Sequence, residues 1–113
     1  LDLTQTAAAV ADLAGKARTG KLGFADAEGG TFTITSLGKI GGTGFTPIIN
    51  APEAAILGVS CARQKPVEFK GKIALRTMLP LSLSYDHRVI DGAKAARFVG
   101  YVRDALQSPK GLI

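Results

Sequence analysis

A single cysteine, a single histidine and no tryptophan stand among 113 residues, and aromatic side chains make up only 6%. Cys61 has no partner for an internal disulfide, which excludes a disulfide-stapled scaffold and points to a reducing, intracellular compartment. Without a cluster of His and Cys, no metal site is expected. Long apolar runs are missing too. Ala54 to Val59, among the longest, falls far short of the roughly 20 residues that cross a bilayer, and no basic-then-apolar start resembles a signal peptide, so no membrane partner is expected. The basic residues are scattered singly from Lys16 to Lys110. They form neither a phosphate-tracking stripe nor, without interleaved aromatics, a base-stacking platform, and nucleic acid is not expected as a partner.

What is present suffices for one core. Hydrophobic residues are 46% and charged residues 20%, spread along the chain, which excludes intrinsic disorder and at this length fits a single core. The net charge of +5, from 14 Lys and Arg against 9 Asp and Glu, suits a soluble surface or a protein that handles an anionic cofactor. The chain opens at Leu1 without a methionine and runs straight into a helical pattern. That start leads us to expect the back half of something larger.

Leu3, Ala7, Val10, Leu13, Ala14 and Ala17 recur at helical spacing, and Gly20 follows as a terminator. Thr31 to Leu37 alternates, with Phe32 and Ile34 on one face and the hydroxyls of Thr31, Thr33 and Thr35 on the other, which predicts a strand. Gly38, Gly41, Gly42 and Gly44 then crowd seven positions and require unusual backbone angles. They do not make a nucleotide loop, because Phe45-Thr46-Pro47 and Asn50-Ala51-Pro52 continue in an extended, helix-hostile stretch. Ala54 to Cys61 is a continuous apolar run of strand length, predicted as a central strand with Cys61 as a small core residue. Val67–Phe69 and Ile73–Leu75 flank Gly71 as a hairpin. Met78 to Tyr85 reads as a further strand, with Leu79, Leu81, Leu83 and Tyr85 on one face, Ser82 and Ser84 on the other, and Pro80 marking an edge. From Gly92 to Leu106 the helical period returns, with Ala95, Phe98, Val99, Val102, Ala105 and Leu106 as its apolar stripe.

His87 lies in Tyr85-Asp86-His87-Arg88-Val89-Ile90-Asp91-Gly92, where the last strand gives way to the last helix. Loops leaving strand ends are where ligands usually sit in open sheets, and histidine is the side chain whose unperturbed pKa, about 6.5, suits proton transfer near neutrality. Asp91 directly precedes the helix and can cap it. Arg88, between Asp86 and Asp91, is expected to form an ion-pair cluster with both.

Ser82-Leu83-Ser84-Tyr85-Asp86-His87-Arg88-Val89-Ile90-Asp91-Gly92 resembles the active-site motif of the 2-oxoacid dehydrogenase acyltransferases. Thr31 to Gly38, Gly41-Gly42-Thr43, Phe45 to Glu53 and Ala55 to Val59 resemble the same family in the same order. The resemblance covers essentially all of residues 1–113. It implies an α/β fold of the α+β, two-layer kind, a chloramphenicol acetyltransferase-like mixed sheet flanked by helices, of which this chain is the C-terminal part. It further implies a homotrimer with active sites between subunits, assembling into a larger core. The implied partners are a lipoyl domain of the same polypeptide and the decarboxylase and dihydrolipoyl dehydrogenase components. The implied compartment is the cytoplasm of a bacterium, or the mitochondrial matrix of a eukaryote.

The activity implied is acyl transfer from a dihydrolipoyl thioester to the thiol of coenzyme A, with no metal. His87 would be the general base, since the thiolate is the nucleophile and a thiol near its free pKa of about 8.5 is mostly protonated at pH 7. The family's oxyanion donor is a serine at the position of Thr35, which keeps the hydroxyl and adds a methyl; strand parity favours Thr35, with Ser36 the alternative. Asp91 would orient the loop. Ser36-Leu37-Gly38 and Leu81 to Tyr85 resemble pyruvate-type members, so acetyl is the expected group. Branched-chain or succinyl transfer, and a non-catalytic core subunit, are the alternatives; His87 counts against the last.

Overall fold

The computed structural model describes residues 1–40 and 42–109; Gly41 of the glycine-rich motif lies outside the described residues. Two compact units are present, Thr31–Val99 and Leu1–Gly30 together with residues from Gly100 onward. In the second, α1 (Leu3–Arg18) opens with a capping box, in which the Asp2 carboxylate accepts from Gln5 N–H at 2.7 Å and the Gln5 side chain accepts from Asp2 N–H at 3.0 Å. Both bonds satisfy orphan donors of the first turn. Gly20, at φ 67°, ends the element as expected. A short turn of helix, α2 (Phe24–Ala27), follows. None of α1 is buried, and Val10 of its apolar stripe is 62% exposed.

The Thr31–Val99 unit holds β1 (Thr33–Ser36), β2 (Ala55–Val59), β3 (Arg63–Phe69), β4 (Lys72–Met78), β5 (Leu81–Tyr85) and the first half of α3 (Gly92–Gln107). β2 is central, parallel to β1 and antiparallel to β5. Its uninterrupted apolar sequence follows from that place, since both faces are covered, and Ala55, Ile56 and Leu57 are buried. One face, carrying Phe32, Ala55 and Leu83, meets Ala95 and Phe98 of α3 around an apolar cleft of about 330 Å³; the Phe32 and Phe98 rings are tilted with centroids 5.6 Å apart. The opposite face bears Thr33, Thr35, Ser82 and Ser84 around Ile56 and Gly58.

β3 and β4 form a separate antiparallel hairpin closed by Lys70 and Gly71, at φ 54° and 77°. Both left-handed positions are what a two-residue hairpin turn demands, and Gly71 adopts its own without steric cost. Two expectations are corrected here. The run from Met78 to Tyr85 is not one strand: Met78 pairs with Arg63 in the hairpin, and β5 begins only after Pro80, which has no N–H to give a ladder. Cys61 lies beyond the end of β2 and is only half-buried; the buried residue next to it is Ser60. Mixed helix and sheet in an α+β arrangement is the fold class expected from the resemblance.

Candidate active site

β5 delivers His87. Its ladder with β2 ends at Ala55↔Tyr85, and one further bond, Asp86 N–H to the Ala54 carbonyl at 2.8 Å, carries the pairing just past the strand. The Asp86 carbonyl then accepts from both Val89 and Ile90 N–H, at 3.0 and 2.9 Å, and folds residues 86–90 into a tight turn. His87 sits exposed on that turn, its ring 5.7 Å from that of Tyr85. The imidazole thus stands open to solvent at the mouth of a strand-to-helix turn.

The residues on either side of His87 are bonded to each other across it. The Asp86 carboxylate receives Arg88 N–H at 2.9 Å, Arg88 Nε at 3.0 Å and a guanidinium nitrogen at 2.7 Å. Hydrogen bonds from the Arg88 side chain and backbone pull the Asp86 carboxyl from 3.8 to about 2. Asp91 caps α3: its Oδ1 accepts from Lys94 N–H at 2.7 Å and its carbonyl from Ala95 N–H at 3.0 Å. The expected three-way cluster is therefore two separate pairs. Arg88 is taken up by Asp86 two residues away, whereas the Asp91 carboxylate is turned to the helix end and faces Lys94 Nζ at 3.8 Å.

Thr35 lies elsewhere on the sheet. It is half-buried and level with Gly58 on β2, while Ser36 is exposed and hydrogen-bonds locally to Gly38 N–H at 3.1 Å. Parity thus assigns Thr35 to the half-buried hydroxyl face. The row of Gly58 is three residues from the row of Tyr85, about 10 Å along the strands, and β2 stands between β1 and β5. His87 continues beyond Tyr85. One copy of the chain brings His87 and Asp91 to the same turn but does not bring Thr35 to them.

Two features went unread in the sequence. Phe45, from the extended stretch, covers Gly58 beside Thr35, and Asn50, Thr33 and Glu53 form a polar ring at the sheet end from which the histidine turn leaves. Glu53, Asp86 and Arg88 line a cleft of about 350 Å³ with Ile49, Ala51 and Pro52. The motif Phe45 to Glu53 was the signal for Phe45; the ring joins residues 20 apart in sequence, which no local pattern links.

The family described as 2-oxoacid dehydrogenases acyltransferase (catalytic domain) matches residues 1–113. This chain belongs to that family. The acyltransferase relatives include the dihydrolipoyllysine-residue acetyltransferase component of the pyruvate dehydrogenase complex of Pseudomonas aeruginosa, 58% identical over 111 residues, which are 98% of this chain and 20% of that protein. Among solved structures, one comes from a crystallographic and enzymatic investigation of a serine, a histidine and an asparagine in the catalytic mechanism of the Azotobacter vinelandii dihydrolipoamide acetyltransferase. It superposes with a TM-score of 0.93 at 58% identity over 99% of this chain and 46% of that one. The cubic core of a pyruvate dehydrogenase multienzyme complex superposes equally well, TM-score 0.93, at 57% identity and the same coverage of both chains. The chain thus spans less than half the length of the proteins it matches.

Proposed function

We propose that this chain serves acetyl transfer from an S-acetyl-dihydrolipoyl group to coenzyme A. The observation that carries this reading is a coincidence of intervals. In the Azotobacter vinelandii enzyme the investigated serine precedes the histidine by 52 residues and the asparagine follows it by four. Counted from His87, the same intervals fall on Thr35 and Asp91, a hydroxyl again and a carboxylate in place of the amide.

In this proposal His87 accepts the proton of the coenzyme A thiol, and the thiolate sulfur attacks the thioester carbonyl carbon. As the new C–S bond forms, the carbonyl π electrons move onto oxygen, where the Thr35 hydroxyl donates a hydrogen bond. A donor so aimed contributes on the order of 3 to 4 kcal/mol. Collapse breaks the C–S bond to the dihydrolipoyl sulfur, which takes the proton back from His87. Asp91 holds the turn through the helix cap. Because Thr35 and His87 stand at different levels of the sheet in one copy, the reading includes a site completed between two copies, in a trimer built into a larger core. The lipoyl domain and the decarboxylase and dihydrolipoyl dehydrogenase components are its proposed partners, in a reducing compartment.

The test is transfer from acetyl-dihydrolipoamide to coenzyme A by the intact protein, beside succinyl and isobutyryl analogues. Preference for acetyl supports the proposal. Preference for succinyl or a branched acyl group would retain the chemistry and discard the substrate.

A further inference from the structure

Glu53 takes no part in the proton and oxyanion chemistry, yet its carboxylate stands where the elements carrying that chemistry meet. Thr33 Oγ1 donates to Glu53 Oε2 at 2.6 Å in a half-buried setting. Asn50 Nδ2 donates to the same Thr33 oxygen at 3.2 Å, and Glu53 N–H donates to the Asn50 carbonyl at 2.8 Å. The three bonds close a ring. A threonine hydroxyl has one proton, and here it goes to a carboxylate at a distance typical of charge-assisted O–H···O bonds, so the direction of each bond in the ring is set.

The ring reaches both halves of the chemistry. Thr33 lies two residues before Thr35 on the same face of β1. The residue after Glu53, Ala54, offers its carbonyl to Asp86 N–H, and Asp86 opens the turn that carries His87. A path of bonded groups therefore runs from the Thr35 strand through Glu53 and Ala54 to the histidine turn.

We propose that Glu53 is a positioning residue for acyl transfer: by gripping Thr33 it holds the Thr35 strand and the His87 turn to one anchor. The inference rests on the acyl-transfer reading above. With sites between copies, Thr35 of one copy serves one site and His87 serves the next, so each Glu53 steadies half of two sites.

In the intact protein, Glu53→Ala is expected to lower kcat roughly tenfold or more, the scale of a small misplacement of reacting groups, with little change in KM for either substrate. Glu53→Gln keeps a side-chain carbonyl that can accept from Thr33 and should recover most of the rate. Thr33→Val, which removes the hydroxyl at constant shape, should reproduce the loss. The double variant Glu53→Ala/Thr33→Val should be no worse than either single one, because both cut the same bond. Hydrogen exchange of the amides of residues 84–90 should quicken in Glu53→Ala and Thr33→Val alike. An unchanged kcat, a rise in KM alone, a Gln variant as poor as Ala, or additive losses would each overturn the proposal. If the unaltered protein transfers no acyl group, the functional reading falls instead, and the exchange measurement decides this one: unaltered protection of residues 84–90 overturns it. Should Glu53→Ala not fold, Thr33→Val carries the same decision.

Discussion

The ring of Phe45 lies so close to Gly58 that a β-carbon built on the glycine would stand 2.9 Å from Cζ and 3.2 and 3.3 Å from the two Cε atoms. The glycine interrupts the branched run Ile56-Leu57-Gly58-Val59 because an aromatic ring occupies the space its side chain would need. The same row of the sheet contains Thr35 and Ser82, so the ring stands over the row that holds the hydroxyl proposed to meet the oxyanion.

Gly58→Ala is accordingly expected to destabilise the protein by about 1 to 3 kcal/mol, the cost of overpacking a fitted contact. Paired with Phe45→Leu, the substitution should be less damaging than alone, since the smaller side chain vacates the contested space. Chemical denaturation of the single and double variants measures both, and additive losses would refute the steric account.

His87→Ala should reduce turnover roughly 100-fold or more, as removal of a general base does. Thr35→Ala should lower kcat with little effect on KM, and Thr35→Ser should be nearly silent. Steady-state kinetics on the intact protein separates these outcomes; near-normal turnover in His87→Ala would end its assignment as the base.

Asp91→Ala removes the side-chain acceptor at the start of α3 and should cost about 1 kcal/mol of stability, together with activity, because the capped helix end and the histidine turn are continuous. Asp91→Asn keeps an acceptor oxygen and should retain most of the stability. Thermal denaturation beside an activity assay distinguishes the two; a stable but inactive Asn variant would show that the charge itself matters to the chemistry.

The Asp86 carboxyl, held at about 2 by hydrogen bonds from Arg88 against 3.8 for a free aspartate, binds its proton less readily in the folded chain than in the unfolded one. Its contribution is therefore complete above about pH 4 and is lost as the pH falls from there toward 2. The pair is solvent-accessible and its share of the total is modest. Asp86→Asn should flatten the acid limb of stability in that window, and an unchanged limb would mean that the pair does not persist in solution.

Val10, Ile34, Ile73 and Leu75 are 62%, 68%, 83% and 71% exposed, and apolar surface of this extent invites association. Residues 1–113 prepared alone should aggregate or remain inactive. A monomeric, active preparation, judged by light scattering and acetyl-transfer assay, would contradict this.

Elements with a strong period of their own were legible in the sequence. α1 and α3 announced themselves by apolar spacing and β2 by an unbroken apolar run, and in β2 the run records that both faces are covered. The break between β4 and β5 was hidden, since the alternation of Leu79, Leu81 and Leu83 passes over Pro80 as though the ladder continued. The partner of Arg88 was also hidden. Two acids flank it at comparable separations, and only the fold reveals that the helix end had already taken Asp91. Of the candidate site, His87 and the parity of Thr35 could be read from local pattern. The ring of Asn50, Thr33 and Glu53 could not, because Glu53 and Thr33 are 20 residues apart and no periodicity links them.

The hairpin turn at Lys70 and Gly71 has a kinetic consequence. β3 and β4 meet through a two-residue connection, the kind of closure that takes on the order of microseconds, and Arg76 set over the Phe69 ring at 3.9 Å supplies a contact across the two strands. β1 and β2 are parallel and must first close a long crossover. The hairpin is expected to be in place before the chain commits to its sheet, with the parallel pairing that aligns Thr35 with Gly58 following it.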